Sequence, residues 1–107
     1  MIPIEQYVAL STLVFVIGGV GFLVRRNVLI ALMSIEVMLN AANLALVAFN
    51  RTHAAHLGAG GDHTGQVFVF FIIAAEAAEV AVGLAIVLAM YRLRRTVRSD
   101  EADLLKN

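Results

Sequence analysis

Leu32-Met33-Ser34-Ile35-Glu36-Val37-Met38-Leu39-Asn40-Ala41-Ala42-Asn43-Leu44 sets one acid and two carboxamides inside an apolar run that extends from Val28 to Phe49. Such a run is long enough to cross a membrane, which takes about 20 mostly apolar residues for a hydrocarbon core of about 30 Å. Two more segments meet the same requirement, Ile4 to Val24 before it and Val67 to Tyr91 after it. With 61% hydrophobic and only 15% charged residues, a chain of 107 residues has too few polar side chains to clothe a soluble domain. The expected fold is therefore all-α: one membrane domain over residues 1–107, with transmembrane helices at about 4–24, 28–49 and 67–91 and a tail at 92–107.

Composition removes several function classes. The formal net charge is zero, so nothing points to nucleic acid, and the absence of cysteine excludes a disulfide framework, thiolate chemistry and a cysteine metal site. The opening Met1-Ile2-Pro3-Ile4-Glu5-Gln6 has neither a basic n-region nor a small-residue cleavage site. The first apolar run is accordingly expected to persist as a span rather than be removed as a signal peptide.

The breaks between spans define the topology. Arg25-Arg26-Asn27 is so short that the first two spans must form an antiparallel hairpin. From Asn50 to Gln66, four glycines (Gly58, Gly60, Gly61 and Gly65) with Asp62 and three histidines predict a flexible aqueous loop. His53, His56 and His63 show no metal-ligand spacing and read as solvated loop residues, so no metal site is expected. Arg25, Arg26, Arg92, Arg94, Arg95, Arg98 and Lys106 fall on one side and Arg51 alone on the other. The excess of basic residues places the N-terminus and the glycine-rich loop outside, and the short hairpin and C-terminal tail in the cytoplasm. Arginines at span ends read first as headgroup anchors.

Glu36 needs a functional explanation. It lies about 13 Å below the start of the second span at 1.5 Å per residue. Counted from Tyr91, Glu79 lies about 18 Å and Glu76 about 22 Å from the same face. An acid near the bilayer midplane opposes insertion by about 2.5–3.5 kcal/mol on translocon scales. Desolvation disfavours its charged form, and a carboxyl that gains and loses a proton inside a membrane is a proton-relay element. The plainer alternative is a protonated glutamate that hydrogen-bonds a neighbouring helix. Glu36, Asn40 and Asn43 follow i, i+4, i+7 and share one stripe, which must face protein or water rather than acyl chains.

Small residues mark packing surfaces. Ala77, Ala81, Ala85 and Ala89 recur every four residues, with Ala75, Glu79 and Gly83 as a neighbouring row. Such rows let helix backbones approach closely, here both within the chain and against other chains. Gly18, Gly19 and Gly21 form a similar surface on the first span. Three helices cannot alone enclose an aqueous path, so Glu36 and Glu79 imply partner subunits.

Met1-Ile2-Pro3, Arg25-Arg26-Asn27, the stretch from Leu32 to Leu44 and Ala78-Glu79-Val80-Ala81-Val82-Gly83-Leu84-Ala85 together resemble the subunit K family of the proton-pumping NADH:quinone oxidoreductase, respiratory complex I. The resemblance covers essentially the whole chain. It implies a subunit of the membrane arm of a bacterial inner membrane, between the redox end and the antiporter-like subunits, with subunits J-like and N-like as neighbours. It also implies that this chain binds no cofactor, with NADH, FMN, iron–sulfur clusters and quinone held by other subunits. The family's two helix glutamates, part of a buried ionisable chain that couples quinone reduction to proton translocation, match Glu36 and Glu79. Its basic coupling loop matches Arg25 and Arg26. Glu76 departs from the family's usual small or apolar residue and leaves the register of the second carboxylate open, with the Glu79-x-x-x-Gly83-Leu84-Ala85 match and the closer depth match to Glu36 both favouring Glu79. Glu76, Asn40 and Asn43 are left as auxiliary or hydrogen-bonding groups. Small subunits of multisubunit cation/proton antiporters or membrane-bound hydrogenases are the related alternative. A drug/proton exchanger would normally have four spans and an aromatic-lined pocket, and this chain has no tryptophan. A purely assembly role would leave the mid-depth acids without use.

Overall fold

The computed structural model describes residues 2–58 and 61–95. The expected C-terminal tail beyond Arg95, with Arg98, Asp100, Glu101, Asp103 and Lys106, lies outside the described residues. Three helices follow one another: α1 (Ile4–Val24), α2 (Val28–Leu57) and α3 (Thr64–Arg94). Each is long and apolar enough to cross a membrane, which makes this a multi-pass, all-α membrane protein. Helix α2 is the element against which both others pack.

The long loop expected from Asn50 to Gln66 is corrected. Helix α2 continues through Arg51, Thr52, His53 and His56 to Leu57, and α3 begins at Thr64, so the connection shrinks to its glycine-rich centre. A helix need not stop where its apolar run stops, and no glycine or proline interrupts α2 until Gly58. Gly58 caps α2 with φ +84°, a conformation that L side chains rarely adopt. The 30 residues of α2 extend about 45 Å at 1.5 Å per residue, so its last turns reach past the hydrocarbon.

At the other end the tight hairpin is closed by its own asparagine. Asn27 Oδ1 accepts from the Leu29 N–H at 2.9 Å and the Ile30 N–H at 3.4 Å, satisfying two of the free donors at the start of α2. The Arg25 N–H reaches back to Gly21 O at 3.4 Å.

Helices α1 and α2 meet along rows of small residues. On α1 the inward positions are Ile4, Tyr7, Ser11, Val14, Gly18 and Gly21, alternating by three and four residues. On α2 the opposing row is Ser34, Ala41 and Ala48, each seven apart and all buried. Gly18 is the contact that sets the distance: a Cβ there would stand 2.7 Å from Met38 Cγ and 3.0 Å from Ser34 O. Gly21 also faces Ser34, whereas Gly19, expected on the same surface, has nothing within 4 Å of a built Cβ. The Ser11 hydroxyl donates to Ala41 O at 2.5 Å, so a polar group in the span is satisfied by the neighbouring backbone. Nearer the loop end, Arg51 Nη1 donates to the Tyr7 hydroxyl at 3.0 Å, and its guanidinium lies 5.8 Å from that ring's centroid.

The face of α3 turned to α2 is not the expected alanine row. Buried are Glu76, Gly83 and Val87, with Val69, Ile72, Glu79, Val80 and Met90 half-buried. Ala77, Ala81, Ala85 and Ala89, and Ala75 beside them, are exposed on this chain. Leu32 explains the difference, because its branched end packs onto Gly83 and a Cβ there would come within 2.6 Å of Leu32 Cδ2. Within the chain, therefore, α3 turns to α2 the row through Gly83.

The start of α3 is fixed from the loop. Asp62 Oδ1 accepts from the Thr64 hydroxyl and from the Thr64 N–H, the latter at 2.8 Å. His53 Nε2 lies 3.9 Å from Asp62 Oδ2. The Thr64 hydroxyl, then the Thr64 N–H, with His53 and His63 adding smaller contributions, hold the Asp62 carboxyl below its ordinary range.

Two outcomes are expected. Gly18→Leu should destabilise the α1–α2 contact by about 1–3 kcal/mol, seen as a lower thermal midpoint of the purified membrane protein. The Asp62 contribution is complete above its unfolded value of about 3.9 and is lost as pH falls through its lower folded value. Amide exchange at Thr64–Val67 should therefore quicken in that acid range, and Asp62→Asn should abolish this pH dependence.

Candidate functional site

Along α2, a second row repeats every seven residues: Glu36, Asn43 and Asn50. Seven residues are close to two helical turns, so the three share one face. It is the face toward α3, offset by two residues from the Ser34, Ala41 and Ala48 row that meets α1. The chain thus sorts its small residues to one side of α2 and its polar residues to the other.

Each member of the polar row has a defined setting. Asn50 Oδ1 accepts from the Gly65 N–H at 2.8 Å, so a side chain of α2 caps the first turn of α3. Asn43 Nδ2 donates to Glu76 Oε1 at 2.9 Å, and both residues are only 7% exposed. Glu36 is half-buried on the wall of an otherwise apolar groove of about 310 Å³, lined also by Leu29, Leu32, Met33, Val80 and Leu84. Three buried polar atoms in this row have no protein partner: Glu36 Oε1, Asn43 Oδ1 and Asn50 Nδ2.

Glu76 and Glu79 both lie within electrostatic reach of Glu36. Glu76 and Glu79 are three residues apart, one turn, on α3. The three carboxyls thus form one cluster across the α2–α3 seam.

The seven sequence-derived residues fall into three settings. Glu36, Glu79, Glu76 and Asn43 come together at the seam. Asn40 does not: it is exposed on this chain, so the expected stripe of Glu36, Asn40 and Asn43 divides. The i, i+4, i+7 pattern spans about 60° of helix circumference, and α3 covers only the Glu36 and Asn43 side. Arg25 and Arg26 stand at the hairpin turn, at the same end as Arg92 and Arg95 of the α3 terminus, with both turn residues exposed. Asn50 was read from sequence as the beginning of a loop; the seven-residue spacing from Glu36 and Asn43 is the signal that would have placed it in the site.

Comparison with known proteins accords with this architecture. The family model described as NADH-ubiquinone/plastoquinone oxidoreductase chain 4L matches residues 6–107. A protein of Sorangium cellulosum (strain So ce56), named NADH-quinone oxidoreductase subunit K, is 59% identical over 106 residues, covering 99% of this chain and 97% of that protein.

Proposed function

The chain belongs to the NADH-ubiquinone/plastoquinone oxidoreductase chain 4L family, and on that premise we propose that Glu36 and Glu79 relay protons within the membrane arm of an NADH:quinone oxidoreductase. Family membership makes the chain a subunit of a multisubunit oxidoreductase and selects that complex over the related antiporter and hydrogenase modules. The observation that carries the relay is the placement of Glu36 on α2 and Glu79 on the half-buried face that α3 turns to it, in helices otherwise apolar enough to cross a membrane.

The mechanism follows from charge in a low dielectric. A conformational or charge change reaching Glu36 alters the energy of a charge on Glu79, because the two carboxyls interact. A proton leaving one then favours a proton arriving at the other. The chain itself performs no redox chemistry in this reading. NADH, FMN, the iron–sulfur clusters and quinone are assigned to other subunits, and J-like and antiporter-like N subunits to its flanks. Arg25 and Arg26 form the basic turn through which the redox end acts on the start of α2. The basic end of the bundle faces the cytoplasm of a bacterial inner membrane, and the Gly58–His63 end faces outward.

In the assembled complex, Glu36→Gln and Glu79→Gln should each lower quinone reductase activity and proton pumping several-fold while leaving subunit content unchanged. Retention of both activities in both variants would sink the relay. The orientation has a simple probe, since the chain has no cysteine. In intact cells, His63→Cys should react with an impermeant maleimide and Arg92→Cys should react only after permeabilisation; the reverse pattern would invert the topology.

A further inference from the structure

Glu76 is the most deeply buried ionisable side chain among the described residues, yet the relay just described does not require it. Its setting is specific. Asn43 Nδ2 occupies Glu76 Oε1 as a hydrogen-bond donor at 2.9 Å. A proton held by this carboxyl therefore resides on Oε2, the oxygen the carboxamide leaves open. Asn43 in turn keeps Oδ1 buried and unpartnered, and Asn50, seven residues nearer the loop, keeps Nδ2 buried and unpartnered. Glu36 Oε1 is the third such atom, seven residues in the other direction.

We propose that Glu76 is a third proton-holding carboxyl of this chain, positioned by Asn43, so that the α2–α3 seam carries a branch from the Glu36–Glu79 pair toward the Gly58–His63 end. The inference rests on the relay reading of Glu36 and Glu79. Glu76 stands one turn from Glu79 in the direction of the loop, and Asn43 and Asn50 continue the same direction along α2. The proton moves from the Glu79 side to Glu76 Oε2. Asn43 holds Glu76 in place without itself exchanging a proton.

The alternative is that Glu76 only fastens α3 to α2. Glu76→Gln separates the two in the intact complex, because its carboxamide oxygen still accepts from Asn43 but cannot hold a proton. The expected result is an assembled complex of normal stability with several-fold fewer protons moved per NADH, and loss of a deuterium-sensitive protonated-carboxyl band from the redox-induced infrared difference spectrum. Asn43→Ser should shift that same band in frequency by removing the donor to Oε1, a readout available even where Glu76→Gln assembles poorly. Wild-type pumping and an unchanged spectrum in Glu76→Gln, or an unshifted band in Asn43→Ser, would overturn the proposal. Glu36→Gln, measured alongside, distinguishes the two levels. Loss of pumping there with none in Glu76→Gln removes the branch and leaves the relay standing, whereas unaffected pumping in Glu36→Gln removes the relay itself.

Discussion

A carboxyl or carboxamide inside hydrocarbon has no water to bond with, so another protein group must meet it or its insertion is strongly opposed. Helix α2 carries three such residues at seven-residue intervals, and the placement of α3 follows from them. Asn43 reaches the Glu76 carboxylate oxygen, and Asn50 reaches the Gly65 N–H at the first turn of α3. Gly83 completes the seam by admitting Leu32. Two hydrogen bonds and one close apolar contact thus set the register of the antiparallel pair along most of its length.

The α1–α2 contact solves a different problem with the same repeat. Lipid chains are as apolar as leucine, so two helices gain little from merely hiding hydrocarbon, and close backbone approach must supply the attraction. Gly18 against Met38 and Ser34, and the Ser11 hydroxyl on Ala41 O, provide it. Because the small row of α2 is offset by two residues from the polar row, α2 can hold α1 on one side and the acids on another. The central helix therefore serves as the scaffold, and the outer helices need not enclose anything between them.

Much of this was legible in the sequence, and what was not has a physical cause. Hydropathy located three spans, since the cost of polar groups in lipid writes itself into runs of about 20 apolar residues. It located the end of α2 poorly, because Arg51 to Leu57 is polar enough to leave the membrane and still contains nothing that breaks a helix. Glu36 and Glu79 were singled out by depth, a quantity that counting along a helix supplies. The closer bonding of Asn43 to Glu76 was not, because depth says nothing about azimuth. Azimuth is decided by which neighbouring helix covers which arc, and the alanine row, which looked like the natural contact, is left open while Gly83 is buried.

That open surface bears on why the chain belongs in a larger complex. Asn40 lies about 6 Å along α2 from Glu36, within the span, and is exposed on this chain. A carboxamide there has the same need for a partner as Asn43, but neither α1 nor α3 covers it. On α3, Ala77, Ala81, Ala85 and Ala89 form a smooth exposed strip on which another helix can approach closely. The groove beside Glu36, bounded by Leu29, Leu32, Met33, Val80 and Leu84, is likewise open at the surface of the isolated chain. In a multisubunit complex these are the surfaces on which helices of other subunits can pack. The chain fixes the mutual positions of its carboxyls through α2, and a carboxyl beside an open groove calls for protein rather than acyl chains to cover it.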